Sequence, residues 1–272
     1  MRRFLLSPRG SAGAVLLSLS GVLTFAPAAQ AAVSAAEVLS YDPGSATGFT
    51  NPAASLGQPV GDTTFGALTP FNPPFSEQHI VIVGSGGHLT LRLSSPVSAA
   101  IAGPEVGVFS NNGLVDVSPN GTGVAGTPAG TFSPPGRAVV SVSEDGRTFV
   151  PLDDEAVTFA NPTNYYTDVR IENYWAPLGS ATADFSRPFT GTLSDFGGLT
   201  YEQIVALLDG SAGGTWLDVS GTGLSSVQYV RFDVPQGSRL VVDAVTAVPE
   251  PSMGALLALP LMALVRRRRT SR

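Results

Sequence analysis

The chain has 272 residues, a formal net charge of −6 at pH 7 and no cysteine. Its 15 basic side chains are all arginine, which excludes a Walker-type phosphate loop and lysine Schiff-base chemistry, because both need a lysine. With 31 glycines and 22 prolines, the composition predicts a β-rich chain with many turns and few long helices.

The first 31 residues have the pattern of a secretory signal peptide. Arg2-Arg3 and Arg9 precede an apolar stretch from Ala14 to Phe25. Ala29-Gln30-Ala31 then has the small-x-small form that signal peptidase cleaves after, so the mature chain would begin at Ala32. The paired arginines also allow a twin-arginine signal, but the residues after them match that motif only loosely and favour the general secretory route.

Residues 32–247 are predicted to form one all-β sandwich domain. A stretch of about 215 residues is long enough for a single β-sandwich core, which packing alone must hold because no disulfide can form. Excluding the eight arginines of the two ends leaves seven basic against 21 acidic side chains, a net charge near −14 with Glu250 included. Such a surface repels nucleic acid and anionic membranes, so nucleic acid is not an expected partner.

Two pairs of strands are predicted to form β-hairpins. Ile80–Val83 and Leu89–Leu93 flank three glycines and a serine, which suit a turn that needs positive φ values. Ala138–Ser143 and Thr148–Val150 flank an Asp-Gly pair, a strong turn signal. A nucleotide-binding loop at the first glycine cluster is disfavoured, because the spacing is not Gly-x-Gly-x-x-Gly and a strand follows where a helix is required.

The remaining pattern predicts two loop-rich stretches and one helix. Val38–Asn72 has many turn residues, and Ser118–Pro135 is almost wholly Gly, Pro, Thr, Ser and Ala, which predicts a mobile surface loop. The helix begins after Thr200, whose capping box is completed by Gln203, and it ends at Gly210. Its apolar face is predicted to hold Ile204, Leu207 and Leu208.

The last predicted strand of the domain is Leu240–Val245. Asp243 lies within this apolar strand, and a buried acid needs a partner. Arg231 or Arg239 is expected to pair with it, in a structural role.

The chain offers few groups for catalysis. His79 and His88 are its two histidines. At the ends of the first predicted hairpin they either face each other or are two half-exposed strand-end residues, and the second interpretation is preferred. No Gly-x-Ser-x-Gly elbow and no His-Glu-x-x-His motif is present, and zinc or redox-metal sites are not expected without cysteine. The chain is therefore predicted not to be an enzyme.

Two groups of side chains are candidates for ligand binding. Asp153-Asp154-Glu155 follows a strand and carries oxygens that calcium favours, but the three acids follow no ligand-spacing rule and are also typical of solvated surface charge. No other cofactor is predicted. The second group either forms a sugar-stacking platform at the rim of the sandwich or packs as core and loop-locking residues. Its members are Tyr165, Tyr166, Tyr174 and Trp175.

The segment 248–272 joins three different chemistries. Pro249-Glu250-Pro251 is kept extended by its two prolines, a shape that a processing enzyme can grip. The apolar run Met253–Val265 is about 20 Å long as a helix, against about 30 Å of bilayer hydrocarbon, which predicts a short transmembrane segment that serves as a temporary anchor. The block Arg266, Arg267, Arg268 and Arg269 would stay on the cytoplasmic side and orient the preceding domain outward.

In this order, the Pro-Glu-Pro motif, the short apolar span and the arginine block resemble the PEP-CTERM sorting signal of bacterial envelope proteins, which the membrane protease exosortase reads. The resemblance implies an exported protein of a Gram-negative type bacterium, processed by signal peptidase and by an exosortase-like protease. It also implies transient inner-membrane anchoring, followed by release near Pro-Glu-Pro to the cell surface or extracellular matrix. A permanent C-terminal anchor with an accidental Pro-Glu-Pro linker is the alternative.

The domain carries a second resemblance. A Val-Ser-x-Asp-Gly-x-x-Phe hairpin, a Val-Gln-Tyr-Val-Arg strand and a closing Asp-Ala-Val strand resemble exported PEP-CTERM proteins whose jelly-roll sandwich is like the galactose-binding and discoidin folds. This likeness covers most of residues 38–248. It implies a jelly-roll-like antiparallel β-sandwich with one short inserted helix, and a structural or adhesive role with exopolysaccharide or biofilm. A calcium-assisted carbohydrate-binding module and a polysaccharide-acting hydrolase are the alternatives.

Overall fold

Antiparallel strands make up most of the protein in a computed structural model, which describes residues 32–100, 102–170 and 178–249. Within these ranges the predicted all-β class is confirmed, with one inserted α-helix. The predicted signal peptide and the apolar and arginine-rich tail lie outside them. The strands are Val33–Asp42 (β1), Val81–Val83 (β2), His88–Ser98 (β3), Pro104–Phe109 (β4), Gly136–Ser143 (β5), Val150–Pro151 (β6), Val157–Phe159 (β7), Thr215–Asp218 (β8), Ser226–Asp233 (β9), Leu240–Val242 (β10) and Ala244–Ala247 (β11), and the helix is Tyr201–Leu208 (α1).

Strand β1 is shared by the two halves of the main sheet, whose strand order is β6-β5-β9-β3-β1-β11-β4-β8. The first two residues of β1 pair with β11, and the rest of the strand pairs with β3. The ladder with β3 shifts register at Ala35–Glu37 and again at Val38–Ser40. Such irregularities bend a strand and increase its twist, so β1 bends as it passes from one half of the sheet to the other.

The hydrophobic core draws on both halves of this sheet. Leu91 on β3, Val140 on β5 and Val230 on β9 share one buried cluster with Val106 on β4 and Val245 on β11. None of these five side chains is more than 1% exposed. Burying a side chain of this kind contributes about 1.5–3 kcal/mol. Because the chain has no cysteine, such packing holds the sandwich-like fold without disulfides.

The prediction that residues 80–83 and 89–93 form a hairpin is wrong. Strand β2 pairs with β10 in a separate two-stranded sheet, whereas β3 pairs with β1 and β9. The glycines between β2 and β3 instead permit close packing of two chain segments. A side chain at Gly84 would clash with the backbone at Ala46, and one at Gly87 would clash with the carbonyl oxygen of Asp42.

The second predicted hairpin is confirmed, because β5 pairs with β6 through Val142 and Val150. The turn is built around Asp145, whose carboxylate accepts hydrogen bonds from the backbone N–H groups of Arg147 (2.8 Å) and Thr148 (2.9 Å). Gly146 has a φ of 72°, which suits glycine. These contacts lower the pKa of Asp145, with the Thr148 and Arg147 amides as the main causes.

The predicted helix is also confirmed. The Thr200 hydroxyl accepts from the Gln203 N–H at 3.3 Å, and the Gln203 side chain accepts from the Thr200 N–H at 2.9 Å. Asp209, in the left-handed region, ends the helix. Ile204 and Leu208 are buried as expected, but Leu207 is 37% exposed, so its placement on the apolar face was wrong.

The glycine- and proline-rich stretch from Ser118 to Pro135 lies largely at the surface, as predicted, but it is hydrogen-bonded to the residues that begin α1. Ala125 is buried, and its N–H donates to the carbonyl oxygen of Leu199 just before the helix. The Asp116 carboxylate accepts from the N–H groups of Ser118, Gly123 and Val124. Likewise, the region predicted to be loop-rich from residue 38 onward begins inside β1.

Replacing Thr200 with Ala removes the acceptor that caps α1. We expect the free energy of unfolding to fall by about 1 kcal/mol, the usual value of an N-cap side chain. Chemical denaturation of the purified protein measures the loss. Thr182→Ala, at an exposed position outside any helix, is the matched control and should change stability by less than about 0.5 kcal/mol. Equal losses in the two variants would contradict the capping role.

Candidate functional sites

The first and last strands of the domain are neighbours. Val33 at the start of β1 pairs with Ala247 at the end of β11, and Ser34 pairs with Thr246. Strand β11 is also paired with β4 on its other side. The ladder continues one residue further, because the N–H of Val248 donates to the carbonyl oxygen of Glu105 at 2.8 Å.

Two of the predicted processing residues therefore lie at one edge of the sheet, which we call the exit edge (Ala32–Ser34 and Thr246–Pro249). Ala32 immediately precedes β1, and Pro249 is the second residue after β11; both are partly exposed. Pro249 has no N–H and cannot donate to a ladder, so regular pairing stops before the motif. The other processing and orientation residues, Ala29, Ala31, Glu250, Pro251 and the block 266–269, lie outside the described residues.

The predicted aromatic platform is described in part. Tyr165 and Tyr166 meet edge to face with ring centroids 4.6 Å apart, and Tyr165 also contacts the ring of Phe185 at 5.0 Å. A side chain at Gly61 would lie 2.6 Å from the Tyr166 hydroxyl oxygen. The two half-buried rings thus pack against the protein itself, while Tyr174 and Trp175 lie outside the described ranges. Sugar binding by this group stays a prediction.

The three acids considered for calcium are exposed in the turn between β6 and β7. The Asp153 carboxylate accepts a hydrogen bond from the N–H of Glu155 at 3.3 Å, a local turn contact. Across the described ranges, no three or more His, Cys, Asp or Glu side chains converge into a possible metal site. Calcium binding at Asp153, Asp154 and Glu155 stays a prediction.

The two histidines do not lie on paired strands. His88 begins β3, opposite Asp42 of β1 and Asp233 of β9. His79 lies in the turn before β2, where its Nδ1 is buried without a hydrogen-bond partner. Since β2 and β3 belong to different sheets, they form no hairpin across which the two histidines could face each other.

Asp243 is buried at the bend where the chain passes from β10 in the small sheet to β11 in the main sheet. The prediction that Arg231 or Arg239 pairs with Asp243 is wrong. Arg231 pairs with Asp233 at 2.7 Å, and neither arginine is a partner of the Asp243 carboxylate. Neither carboxylate oxygen of Asp243 has a hydrogen-bond partner of standard geometry. Burial raises the pKa of Asp243 well above its ordinary value, and the nearby Val60 N–H only partly offsets this effect.

Glu105 on β4 is a second buried acid, and it connects the exit edge to β8. Its backbone carbonyl holds Val248, and its Oε2 accepts from the N–H of Val219 at 2.9 Å, just beyond β8. Its Oε1 has no partner. Burial raises the pKa of Glu105, and the hydrogen bond from Val219 lowers it by less.

A cleft of about 610 Å³ opens beside Trp216 on β8. The indole N–H donates to the carbonyl oxygen of Gly213 at 2.8 Å, which fixes the ring. Gly107 on β4 pairs directly with Trp216, and a side chain there would lie 2.8 Å from the indole Cζ2. Phe109 supports the ring edge to face at 6.3 Å. We call this space the Trp216 cleft.

The lining of the Trp216 cleft also includes the segment 189–194 and three residues at and just after β7, which are Thr158, Ala160 and Asn161. Phe189 packs in the buried cluster under α1, and the Asn161 side chain donates to the carbonyl oxygen of Gly191 at 2.9 Å. At the rim, Asp218 accepts from the hydroxyl and the N–H of Ser220. These two hydrogen bonds lower the pKa of Asp218 and favour its charged form, and the bond from the hydroxyl has the larger effect.

The sequence interpretation missed this cleft. Nothing in the sequence near Trp216 marks it as a ligand-lining residue. The one usable signal is the pair of a tryptophan in one short strand and a glycine in another, but recognising it requires knowing that β4 and β8 are neighbours.

No helix among the described residues is long and apolar enough to cross a membrane. The predicted transmembrane run, 253–265, lies outside those residues. In comparisons with known proteins, no protein-family model matches the chain, and no curated protein matches it significantly.

Replacing Asp243 with Asn tests the buried acid. An acid whose pKa is higher in the folded than in the unfolded state favours folding at low pH, and this contribution is lost as the pH rises through the folded-state pKa. The unfolding free energy of the native protein minus that of the Asn variant should therefore fall as the pH rises from about 4, the pKa of an unfolded aspartate. Denaturation curves at a series of pH values measure this difference.

The control for the loss of one negative charge is Asp154→Asn, at an exposed position. A difference between the native protein and the Asp243 variant that stays constant across the pH series would contradict an uncompensated buried acid at this bend.

Proposed function

We propose that the chain is an exported envelope protein whose two ends are processed at one edge of its β-sandwich. The observation that carries the proposal is the pairing of Val33 with Ala247. It brings the predicted signal-peptidase site before Ala32 and the PEP-CTERM-like motif at Pro249 to neighbouring positions. In this proposal, an exosortase-like membrane protease recognises the motif and releases the domain.

The exit edge makes such processing sterically demanding. Pro249 is two residues beyond Ala247, the last residue of β11, a distance of about 7 Å in an extended chain. The protease would therefore act close to the folded sheet. Because both predicted membrane-associated segments leave from the same edge, the domain would face the membrane with that edge during export, and the remaining surface would point away.

A structural or adhesive role in the matrix is the proposed function of the released domain. In this role the domain is jelly-roll-like, as the resemblance implies, and non-enzymatic. Its acidic surface, with seven arginines against 20 acids in residues 32–247, keeps it soluble and away from anionic surfaces. The exposed, hydrogen-bonded loops around the sheet would supply contacts to exopolysaccharide.

Carbohydrate binding is the second candidate function, and the Trp216 cleft favours it. A mostly preformed pocket with an aromatic side chain and a few polar groups is the usual form of a small-ligand site. The hydrolase alternative has less support, since glycoside hydrolysis generally uses two carboxyl groups across the bond. Among the described lining residues of the cleft, Asp218 is the one carboxylate.

The intact mass of the protein recovered from the cell envelope tests the sorting proposal. We expect a chain that begins at Ala32 and ends close to Glu250. In the Pro249→Ala/Pro251→Ala variant, the motif loses the two rings that keep it extended, so we expect the tail to stay attached. Pro235→Ala, in the turn after β9, is the matched control and should be processed normally.

A mature chain that ends beyond Val265 would refute the proposal and favour a permanent anchor. Normal processing of the double variant would show that the Pro-Glu-Pro motif is an accidental linker.

A further inference from the structure

The Trp216 cleft combines an aromatic surface with threonine hydroxyls that have no hydrogen-bond partner in the described part of the chain. Four threonines are among its lining residues, and three of them make no side-chain hydrogen bond to the described residues. They come from three different segments, so the fold gathers them around one space. The three are Thr158 on β7, Thr190 in the 189–194 segment and Thr215 on β8.

The aromatic part of the cleft is held rigidly. The Trp216 ring is fixed by its hydrogen bond to Gly213, by the bare backbone of Gly107 and by the Phe109 ring. Such a ring loses little conformational freedom when a ligand packs on it. Its partly exposed surface faces a space of about 610 Å³, within the roughly 300–1,000 Å³ range of small-ligand sites.

The charges around the cleft select against anionic ligands. Asp218 is the charged side chain of the described lining, and its lowered pKa keeps it negative. No arginine lies among the lining residues described, so a carboxylate or sulfate on the ligand would meet a like charge without a counterion. The Asp218 carboxylate accepts hydrogen bonds, and the threonine hydroxyls both donate and accept them. These groups therefore suit a ligand that carries many hydroxyl groups.

We propose that the Trp216 cleft binds an uncharged oligosaccharide, with a pyranose ring packed on the indole. The C–H face of the sugar covers the aromatic surface, and its hydroxyls bond to the threonines and to Asp218. This site differs from the tyrosine group at residues 165–166 and requires no calcium. Binding in the matrix gives the proposed adhesive function a ligand class, but the binding itself does not depend on how the chain is sorted.

Titration calorimetry with the purified full-length protein tests the proposal. The uncharged probes are cellohexaose, laminarihexaose and maltohexaose, and an oligogalacturonate is the anionic probe. We expect binding of at least one uncharged probe and none of the anionic probe. In Trp216→Ala the affinity should fall by about tenfold or more, as is usual when an aromatic anchor is truncated.

Because Trp216 also packs against β4, a second variant keeps the test independent of folding. The double variant Thr158→Met/Thr190→Met removes two hydroxyls and adds bulky side chains that narrow the cleft. Both positions are exposed, and the variant should also weaken binding. Phe132→Ala is the matched control, since it removes a ring that is 58% exposed elsewhere and should bind like the native protein.

Three results would overturn the inference: no binding of any uncharged probe at millimolar concentration, preference for the anionic probe, or native affinity in the double threonine variant. The sorting proposal fails separately, on the mass of the mature chain. A protein that binds the sugar but keeps its tail would refute the sorting proposal and leave this inference standing.

Discussion

The antiparallel pairing of β1 with β11 is the contact on which the rest of the architecture depends. It joins the two halves of the main sheet, since β1 continues along β3 and β11 continues to β4. It also closes the domain by placing Val33 opposite Ala247. A pairing between residues more than 200 positions apart must be compensated by many buried contacts, because closing so long a loop costs entropy. The bends in β1 allow one strand to serve both halves.

Strand β4 transmits this arrangement to both candidate sites. Gly107 and Phe109 are two residues apart along it, so their side-chain positions share one face. The Glu105 side chain holds the residue after β8, while Gly107 and Phe109 position the Trp216 ring. The Glu105 carbonyl holds Val248 at the exit edge. Strand β4 therefore takes part in both sites, because it pairs with β8 at the cleft and with β11 at the exit edge.

Features made by neighbouring residues were predicted well, and features made by distant residues were not. The Thr200 capping box and the Asp145 turn depend on side chains that reach backbone groups two or three residues away, so their residue pattern is sufficient. Gly84 and Gly87 looked like part of a hairpin turn, but they are required by the approach of residues 42–46. Asp243 likewise looked like half of an ion pair, whereas it lies at a bend between two sheets.

By itself, the sequence determined the all-β class, the confirmed helix and hairpin, and the prediction of export from the patterns at its two ends. These follow from composition, short-range hydrogen bonding and local polarity, which need no knowledge of the fold. Only the tertiary structure decided that the two ends of the domain meet at one edge, that two acids are buried without full partners, and that Trp216 lines a cleft. The reason is physical: strand pairing and burial are relations between residues far apart in the chain, and a short motif carries no information about them.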